Sequence, residues 1–289
     1  MKVRATRTLP GPAWAALGEV EIAPAAEPGP GVGILIVTNE PVDLDLYPSL
    51  RLIANYSVGY DRIDVAGASA RGIAVSNTPG VLDAATADLA IALMLAVRRG
   101  VVTGDRMIRA GEWGTHWAGP PFLGHDVSGT TLGIVGLGRI GSAVAKRAVG
   151  FDMRVVSVRA REGNLDEMLP ACDVVSLHVP LGPQTRGLMT RERLALLKGG
   201  ATLVNTARGE IVDEDALVAE LVSGRISAGL DVFAYEPSVP SELFDLPNVV
   251  MTPHIGSGTV ETREAMTRVV VDNVLAFQRG EPLLTPVLL

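Results

Sequence analysis

Four side chains stand where strands of an α/β protein would end: Arg208 after the apolar LVNTA, Asp231 and Glu236 within GLDVFAYEP, and His254 after VVMTP. An always-charged guanidinium fork at the carboxyl end of a strand suits a substrate carboxylate. Histidine is the side chain best suited to proton transfer near neutrality, and a glutamate that met it in space would stabilise the imidazolium, making it an acid towards a carbonyl. Each also has a structural role open to it: Arg208 can cap or pair with an acid, Glu236 can sit in a surface turn, and His254 taken alone is undecided. His116 and His125 fall in an irregular stretch, and His178 ends a strand where packing is the expected role. No two histidines are spaced as metal ligands, so no metal is expected. The sequence has no GxSxG elbow, no GxxxxGK[ST] loop and no cysteine pair. Serine hydrolysis, P-loop phosphate chemistry and thiol redox therefore lack their signatures, and hydride transfer is the class best supported.

Hydride transfer needs a dinucleotide, and Thr131 to Arg159 reads as the unit that holds one. The apolar run Thr131 to Val135 leads into Gly136-Leu137-Gly138-Arg139-Ile140-Gly141, after which Ala143, Val144 and Ala148 recur at helical spacing until Gly150. In such a unit Gly136 permits the tight turn, Gly138 lets the backbone approach a pyrophosphate, and Gly141 lets helix and strand pack, with helix N–H groups aimed at the phosphates. A GxGxxG alone is weak evidence; strand, helix and second strand in order give it weight. After the second strand, VVSV leads to Arg159, with Arg161 close behind, where an NAD-preferring site would usually place Asp or Glu. Positive charge there suits an adenosine 2′-phosphate, so NADP(H) is expected to be preferred and NAD(H) accepted; the plain alternative is two solvated loop arginines.

Strand candidates at Val3–Thr6, Gly33–Thr38, Leu50–Ser57 and Gly72–Ser76 precede this unit, and Val174–Val179, Ala201–Ala207, Ile226–Phe233 and Val249–Thr252 follow it. Near-continuous apolar strands alternating with helices imply parallel sheets covered on both faces, with ligands at the carboxyl ends. Asp83 to Arg99 is expected as a helix between domains, with Ala85, Leu89, Leu93 and Val97 on one stripe. Thr259 to Gln278 reads as a long amphipathic helix with Val269, Val270 and Val274 inward, followed by a tail returning to the first domain. The turn Val58-Gly59-Tyr60-Asp61 offers exposed backbone N–H groups. Residues 112–130 lack periodicity and hold all but one of the tryptophans, which suggests packing on something, a second subunit among the options.

At 289 residues, 47% hydrophobic and 20% charged, the chain describes a globular protein of two domains. Its net charge of -7 and scattered arginines give no footprint for nucleic acid. The longest apolar run, Leu89 to Val97, is too short for a bilayer, and prolines near the N-terminus argue against a signal peptide. The single Cys172 reads as a core residue of a protein in a reducing cytoplasm.

Read together, SVGYDRIDV, NTPGVLDAATADLA, GIVGLGRIG, SLHVPL, LVNTARGEIVDEDAL, GLDVFAYEP and TPHIGS resemble the D-isomer-specific 2-hydroxyacid dehydrogenase family, in particular its glyoxylate and hydroxypyruvate reductase branch, over nearly the whole chain from about Leu50. The resemblance implies a Rossmann doubly wound parallel sheet (95–261) inserted into a flavodoxin-like substrate domain (1–94 plus 262–289). It implies Arg208, Glu236 and His254 as catalytic residues, and the N–H groups of Val58 and Gly59 as a substrate-carboxylate site shared with Arg208. The cofactor would be held by Gly136, Gly138, Arg139, Ile140, Gly141, Arg159, Val179, Pro180, Thr206, Ala207, Asp231, His254 and Gly256, with Asp231 at the nicotinamide carboxamide. It implies reduction of a small 2-oxo acid to the D-2-hydroxy acid, in a cytoplasmic homodimer. Glu236, where formate dehydrogenase relatives have glutamine, and Val58, where phosphite-oxidising members have lysine, disfavour those branches. The short tail after the long helix disfavours the longer phosphoglycerate dehydrogenases, and the segment before SVGYD departs from the family in being abbreviated. Co-repressors of the same family, which keep the site yet act through partners, are the rival reading.

Overall fold

The computed structural model describes residues 1–114, 123–159 and 164–288. They form two compact units, one from Met1–Asp83 with Ser257–Leu289 and one from Ala84–Gly256, so that along the sequence the second is inserted into the first. The first unit opens with β1 (Lys2–Ala5), β2 (Glu21–Ile22), β3 (Val32–Val37), β4 (Leu52–Asn55), α1 (Val65–Ala70) and β5 (Ala74–Ser76). Its sheet is wholly parallel in the order β2-β1-β3-β4-β5. All six residues of β3 are buried, which is why this strand reads as an unbroken apolar run rather than an alternation. Between β1 and β2 the chain makes only a 3-10 turn, Pro12–Leu17, which accounts for the abbreviated start. The two residues of β2 are too few to carry a periodic signal.

The second unit runs α2 (Asp83–Arg98), α3 (Val101–Arg109), β6 (Thr131–Val135), α4 (Arg139–Val149), β7 (Arg154–Val158), α5 (Leu165–Met168), β8 (Val174–Leu177), α6 (Arg191–Ala195), β9 (Thr202–Asn205), α7 (Glu214–Val222), β10 (Ser227–Leu230) and β11 (Val249–Met251). Its six strands are parallel in the order β11-β10-β9-β8-β6-β7. The winding reverses between β6 and β8, and a crevice must open outside the carboxyl ends of those two strands. A seam at 94/95 would cut α2, whose Ala87, Ala90, Leu93 and Met94 are buried with Leu132 and Ile134 of β6 and Val204 of β9. The units part instead at Asp83/Ala84 and at Gly256/Ser257. Of the expected stripe on α2, Leu93 and Val97 are buried and Ala85 and Leu89 are half-buried; Thr86, Ala87, Ala90 and Met94 widen the buried face. Helix α3 lacks a sequence signal because Gly104 interrupts it and none of its residues is buried.

Of the irregular stretch, residues 115–122, with His116 and Trp117, lie outside the described residues, as does Arg161. Its later part is tied down: the His125 N–H donates to the Arg98 carbonyl at 2.7 Å, and the buried Arg98 guanidinium donates to the Asp126 carbonyl. The chain then completes the first unit with α8 (Val260–Gln278), N-capped by Thr259. Val270, Val271 and Val274 are buried on it, while Val269, expected inward, is half-buried. The tail lies antiparallel against β5, with the Val287 N–H donating to the Val75 carbonyl at 2.8 Å. Among the described residues no helix is long and apolar enough to cross a membrane, and no group of three or more His, Cys, Asp or Glu side chains is placed to hold a metal ion.

Candidate active site

The ends of β9, β10 and β11 bring the expected catalytic residues together. His254, just past β11, has φ of 54°, a left-handed conformation that a non-glycine residue keeps only when its surroundings impose it. Its N–H donates to the carbonyls of Asp231 and Thr252, both at 3.0 Å. The rest of the loop is built on the Asp231 carboxylate, which is 1% exposed and accepts from Thr252 Oγ1 at 2.6 Å and from the N–H groups of Ile255 and Gly256 at 2.8 Å each. Burial pushes the Asp231 carboxyl up from its ordinary value, against the pull of Thr252, the two N–H groups and His254. Asp231, assigned to the cofactor by resemblance, thus directs its carboxylate to the loop that carries His254.

Glu236 completes the arrangement. One carboxylate oxygen accepts from the Phe233 N–H at 3.1 Å, and the other lies 2.8 Å from His254 Nδ1. Burial alone pushes the Glu236 carboxyl up, but the His254 hydrogen bond and charge, the Phe233 N–H and the Arg208 charge outweigh it and hold it below the usual carboxylate range. The carboxylate therefore stays ionised beside the imidazole, and with Nδ1 engaged, Nε2 is the nitrogen left to face a substrate. The histidine side chain is 46% exposed against 26% for the glutamate, so the ring is the accessible member of the pair.

Arg208 follows β9 on a turn that a buried asparagine shapes. Asn205 Nδ2 donates to the Arg208 carbonyl at 2.8 Å and its Oδ1 accepts from the Ala207 N–H at 3.0 Å, which fixes Thr206, Ala207 and Arg208 at the strand end. A Cβ on Gly209 would collide with the backbone of Phe233 and Ala234, so only glycine lets the arginine turn approach the strand end that carries Glu236. Asn205 and Thr252, whose side chains shape the turns carrying Arg208 and His254, are positions that the residue order does not single out. The available signal was a polar residue closing an apolar strand just before a turn.

At the switch point, the ends of β6 and β8 frame a cavity of about 740 Å³ lined by Gly136, Gly138, Arg159, His178, Val179 and Pro180, with the 181–185 loop as its outer wall. The glycines fit a dinucleotide. Gly136 has φ of +99° and a Cβ there would be 2.7 Å from the His178 carbonyl, while a Cβ on Gly141 would collide with the Gly136 oxygen. Gly138, the N-cap of α4, has open space where a side chain would be and leaves the first-turn N–H groups, including those of Arg139 and Ile140, to an anion. Arg159 lines the same cavity at the end of β7, where adenosine binds in such a unit.

His178 bonds Ser176 Oγ through Nε2 at 2.7 Å, and burial pushes its pKa down from 6.5 to about 4. Below pH 6.5 the unfolded chain takes up a proton there that the folded chain refuses, so the stability His178 contributes is complete above 6.5 and is lost as pH falls towards 4. A His178→Gln variant should show a shallower fall of Tm across that window than the parent, measured by calorimetry; parallel curves would remove His178 from this role.

Val58 and Gly59 belong to the first unit, on the turn after β4. The carbonyls of this turn are engaged: Ser57 accepts from the Thr78 N–H at 3.0 Å, Val58 from Asn77 Nδ2 at 2.9 Å, and Gly59 from Asn55 Nδ2 at 2.7 Å. In a trans peptide the carbonyl and the following N–H point in opposite directions, so the N–H groups of Val58, Gly59 and Tyr60 face away from these partners.

A doubly wound sheet with a glycine crevice at its switch point and an ionised carboxylate–histidine pair past two further strands of the same sheet fits a dinucleotide-dependent oxidoreductase. Residues 91–256 match the family model described as D-isomer specific 2-hydroxyacid dehydrogenase, NAD binding domain. The glyoxylate reductase of Pyrococcus horikoshii is 49% identical over 267 residues, 86% of this chain and 80% of that protein. A crystal structure of a Thermus thermophilus protein superposes with a TM-score of 0.91 at 46% identity over 100% of both chains. The NADPH-dependent glyoxylate/hydroxypyruvate reductase of Sinorhizobium meliloti, in complex with NADP and malonate, does so at 0.90 and 35% over 99% of this chain and 96% of that one. The chain belongs to the D-isomer specific 2-hydroxyacid dehydrogenase family, and it is an oxidoreductase acting on CH–OH groups with a nicotinamide cofactor.

Proposed function

We propose that this chain reduces a small 2-oxo acid of the glyoxylate or hydroxypyruvate type to the D-2-hydroxy acid, with NADP(H) preferred over NAD(H). The observation that carries the reading is the 2.8 Å contact between Glu236 and His254, held beside Arg208 on strand ends of the sheet that bears the glycine crevice. When bound, the reduced nicotinamide supplies a hydride to the substrate C2. His254 gives a proton from Nε2 to the substrate oxygen, and Glu236 stabilises the imidazolium from the Nδ1 side. Arg208 binds the carboxylate and polarises the carbonyl through its fork of donors. The N–H groups of Val58 and Gly59 take the carboxylate as well, and Asp231 acts through the 252–256 loop, holding His254 and Gly256 for the nicotinamide end. Thr206 and Ala207 line the nicotinamide side, and Val179 and Pro180 the adenosine side.

The test is an absorbance assay of NADPH consumption with glyoxylate and with hydroxypyruvate. Turnover dependent on the oxo acid is expected, and binding of NADPH without turnover would favour a nucleotide-sensing role instead. Arg159 supports the cofactor preference. Arg159→Asp should lower kcat/KM for NADPH by about 10-fold to 100-fold, the worth of a charge-assisted phosphate contact, and leave NADH within a few-fold. Comparable kcat/KM for the two cofactors in the parent would overturn it. We further assign the protein to the cytoplasm as a homodimer, a state that light scattering on the purified chain reads directly.

A further inference from the structure

We propose that Asn77, with Thr285 and Asn273 behind it, forms a set of positioning residues for the substrate carboxylate: a chain of amide and hydroxyl groups running from α8 through the C-terminal tail to the Val58–Gly59 turn. The proposal rests on the reading above, in which the N–H groups of that turn take the carboxylate.

Asn77 Nδ2 donates to the Val58 carbonyl at 2.9 Å, and because that peptide is trans and planar, the same bond sets the direction of the Gly59 N–H. Asn77 is itself held at its backbone by one residue of the tail. Thr285 Oγ1 donates to the Asn77 carbonyl at 2.6 Å, and the Asn77 N–H donates to the Thr285 carbonyl at 3.3 Å. Thr285 is in turn fixed from α8. Asn273 Nδ2 donates to Thr285 Oγ1 at 2.9 Å, and Asn273 Oδ1 accepts from the N–H groups of Leu284 and Thr285 at 3.0 and 3.1 Å.

Asn273 is 0% exposed and shares its helix face with Val270 and Val274. Packing there would be served by another apolar side chain, and an amide in that place costs desolvation unless each of its groups is paired. Here its oxygen accepts from two N–H groups of the tail, and its nitrogen donates to the threonine hydroxyl oxygen and to the Val269 carbonyl, the latter at 2.7 Å. What the polar choice gains over an apolar one is direction: it places Thr285, which places Asn77, which aims a donor at the carboxylate.

The experiment compares the parent enzyme with Asn77→Ala, Thr285→Val and Thr285→Ser, measuring steady-state kinetics with glyoxylate, NADPH affinity by fluorescence titration, and Tm. Asn77→Ala is expected to raise the KM for glyoxylate by at least ~10-fold, with kcat within about threefold and NADPH affinity unchanged, the pattern of a lost uniform binding contact. Thr285→Val should raise KM several-fold in the same manner, and Thr285→Ser, which keeps the hydroxyl, should restore the low KM. Thr285→Val is nearly isosteric and keeps the test decisive should Asn77→Ala fail to fold. An unchanged KM in the folded variants overturns the proposal, as does a parallel loss of NADPH affinity. A parent enzyme that turns over no 2-oxo acid overturns the functional reading and this proposal with it; the other contrary outcomes leave parental turnover intact, so the two failures are distinguishable.

Discussion

Replacing His254 with alanine is expected to lower kcat by about 10²-fold to 10⁴-fold, the worth of a positioned proton donor, while NADPH still binds. The expectation follows from where the ring is anchored. Its Nδ1 faces Glu236 at 2.8 Å and its backbone is held in a left-handed conformation by Asp231 and Thr252, so both ring direction and reach are set before substrate arrives. Alanine removes the acid but keeps the loop, because the hydrogen bonds of the loop run through the His254 N–H and the Asp231 carboxylate rather than through the imidazole. A quantitative comparison of kcat with saturating glyoxylate, alongside NADPH titration, separates lost chemistry from lost binding. Full activity in this variant would sink the assignment of His254.

Arg208→Lys is expected to lower kcat/KM by about 10²-fold, mainly through a higher KM for the oxo acid. Lysine keeps the positive charge but offers a point ammonium where arginine offers a planar fork, and it cannot make the paired contact with a carboxylate. The turn that presents Arg208 is fixed by Asn205 and by the close approach of Gly209 to Phe233, neither of which the substitution touches. The guanidinium also gives one bond to this turn, from Nη1 to the Ala207 carbonyl at 2.7 Å, so a small drop in Tm should accompany a loss that is chiefly one of recognition. A KM equal to that of the parent would remove Arg208 from the substrate site.

Strand ends are the most legible part of the sequence. Parallel strands buried on both faces read as apolar runs, and a polar residue that follows such a run lies at a carboxyl end, so Arg208, Asp231 and His254 are candidates from residue order, while the roles of Glu236 and His254 come from the family resemblance. The glycine unit is legible because Gly136 and Gly141 stand where a Cβ cannot fit. Contacts between residues distant in sequence are not legible. Nothing local in NTPG announces that Asn77 is held by Thr285, and the Asp231 carboxylate reveals its partners only once β10 and β11 lie side by side. The buried face of α2 is wider than the expected stripe, of which only Leu93 and Val97 are fully buried, for a related reason: a helix rich in apolar residues on several sides has no single stripe, and its packing against β6 decides which side is buried.

The proposed chemistry requires the chain to direct a hydride and a proton to a 2-oxo acid so that the D-isomer forms. It is read most directly by supplying hydroxypyruvate with NADPH deuterated at nicotinamide C4, on the transferable face, and analysing the product by NMR and chiral chromatography. The expected product is D-glycerate carrying deuterium at C2, in equal amount to the NADPH consumed. The L-isomer, a product without label at C2, or cofactor bound and not consumed would contradict the proposed function.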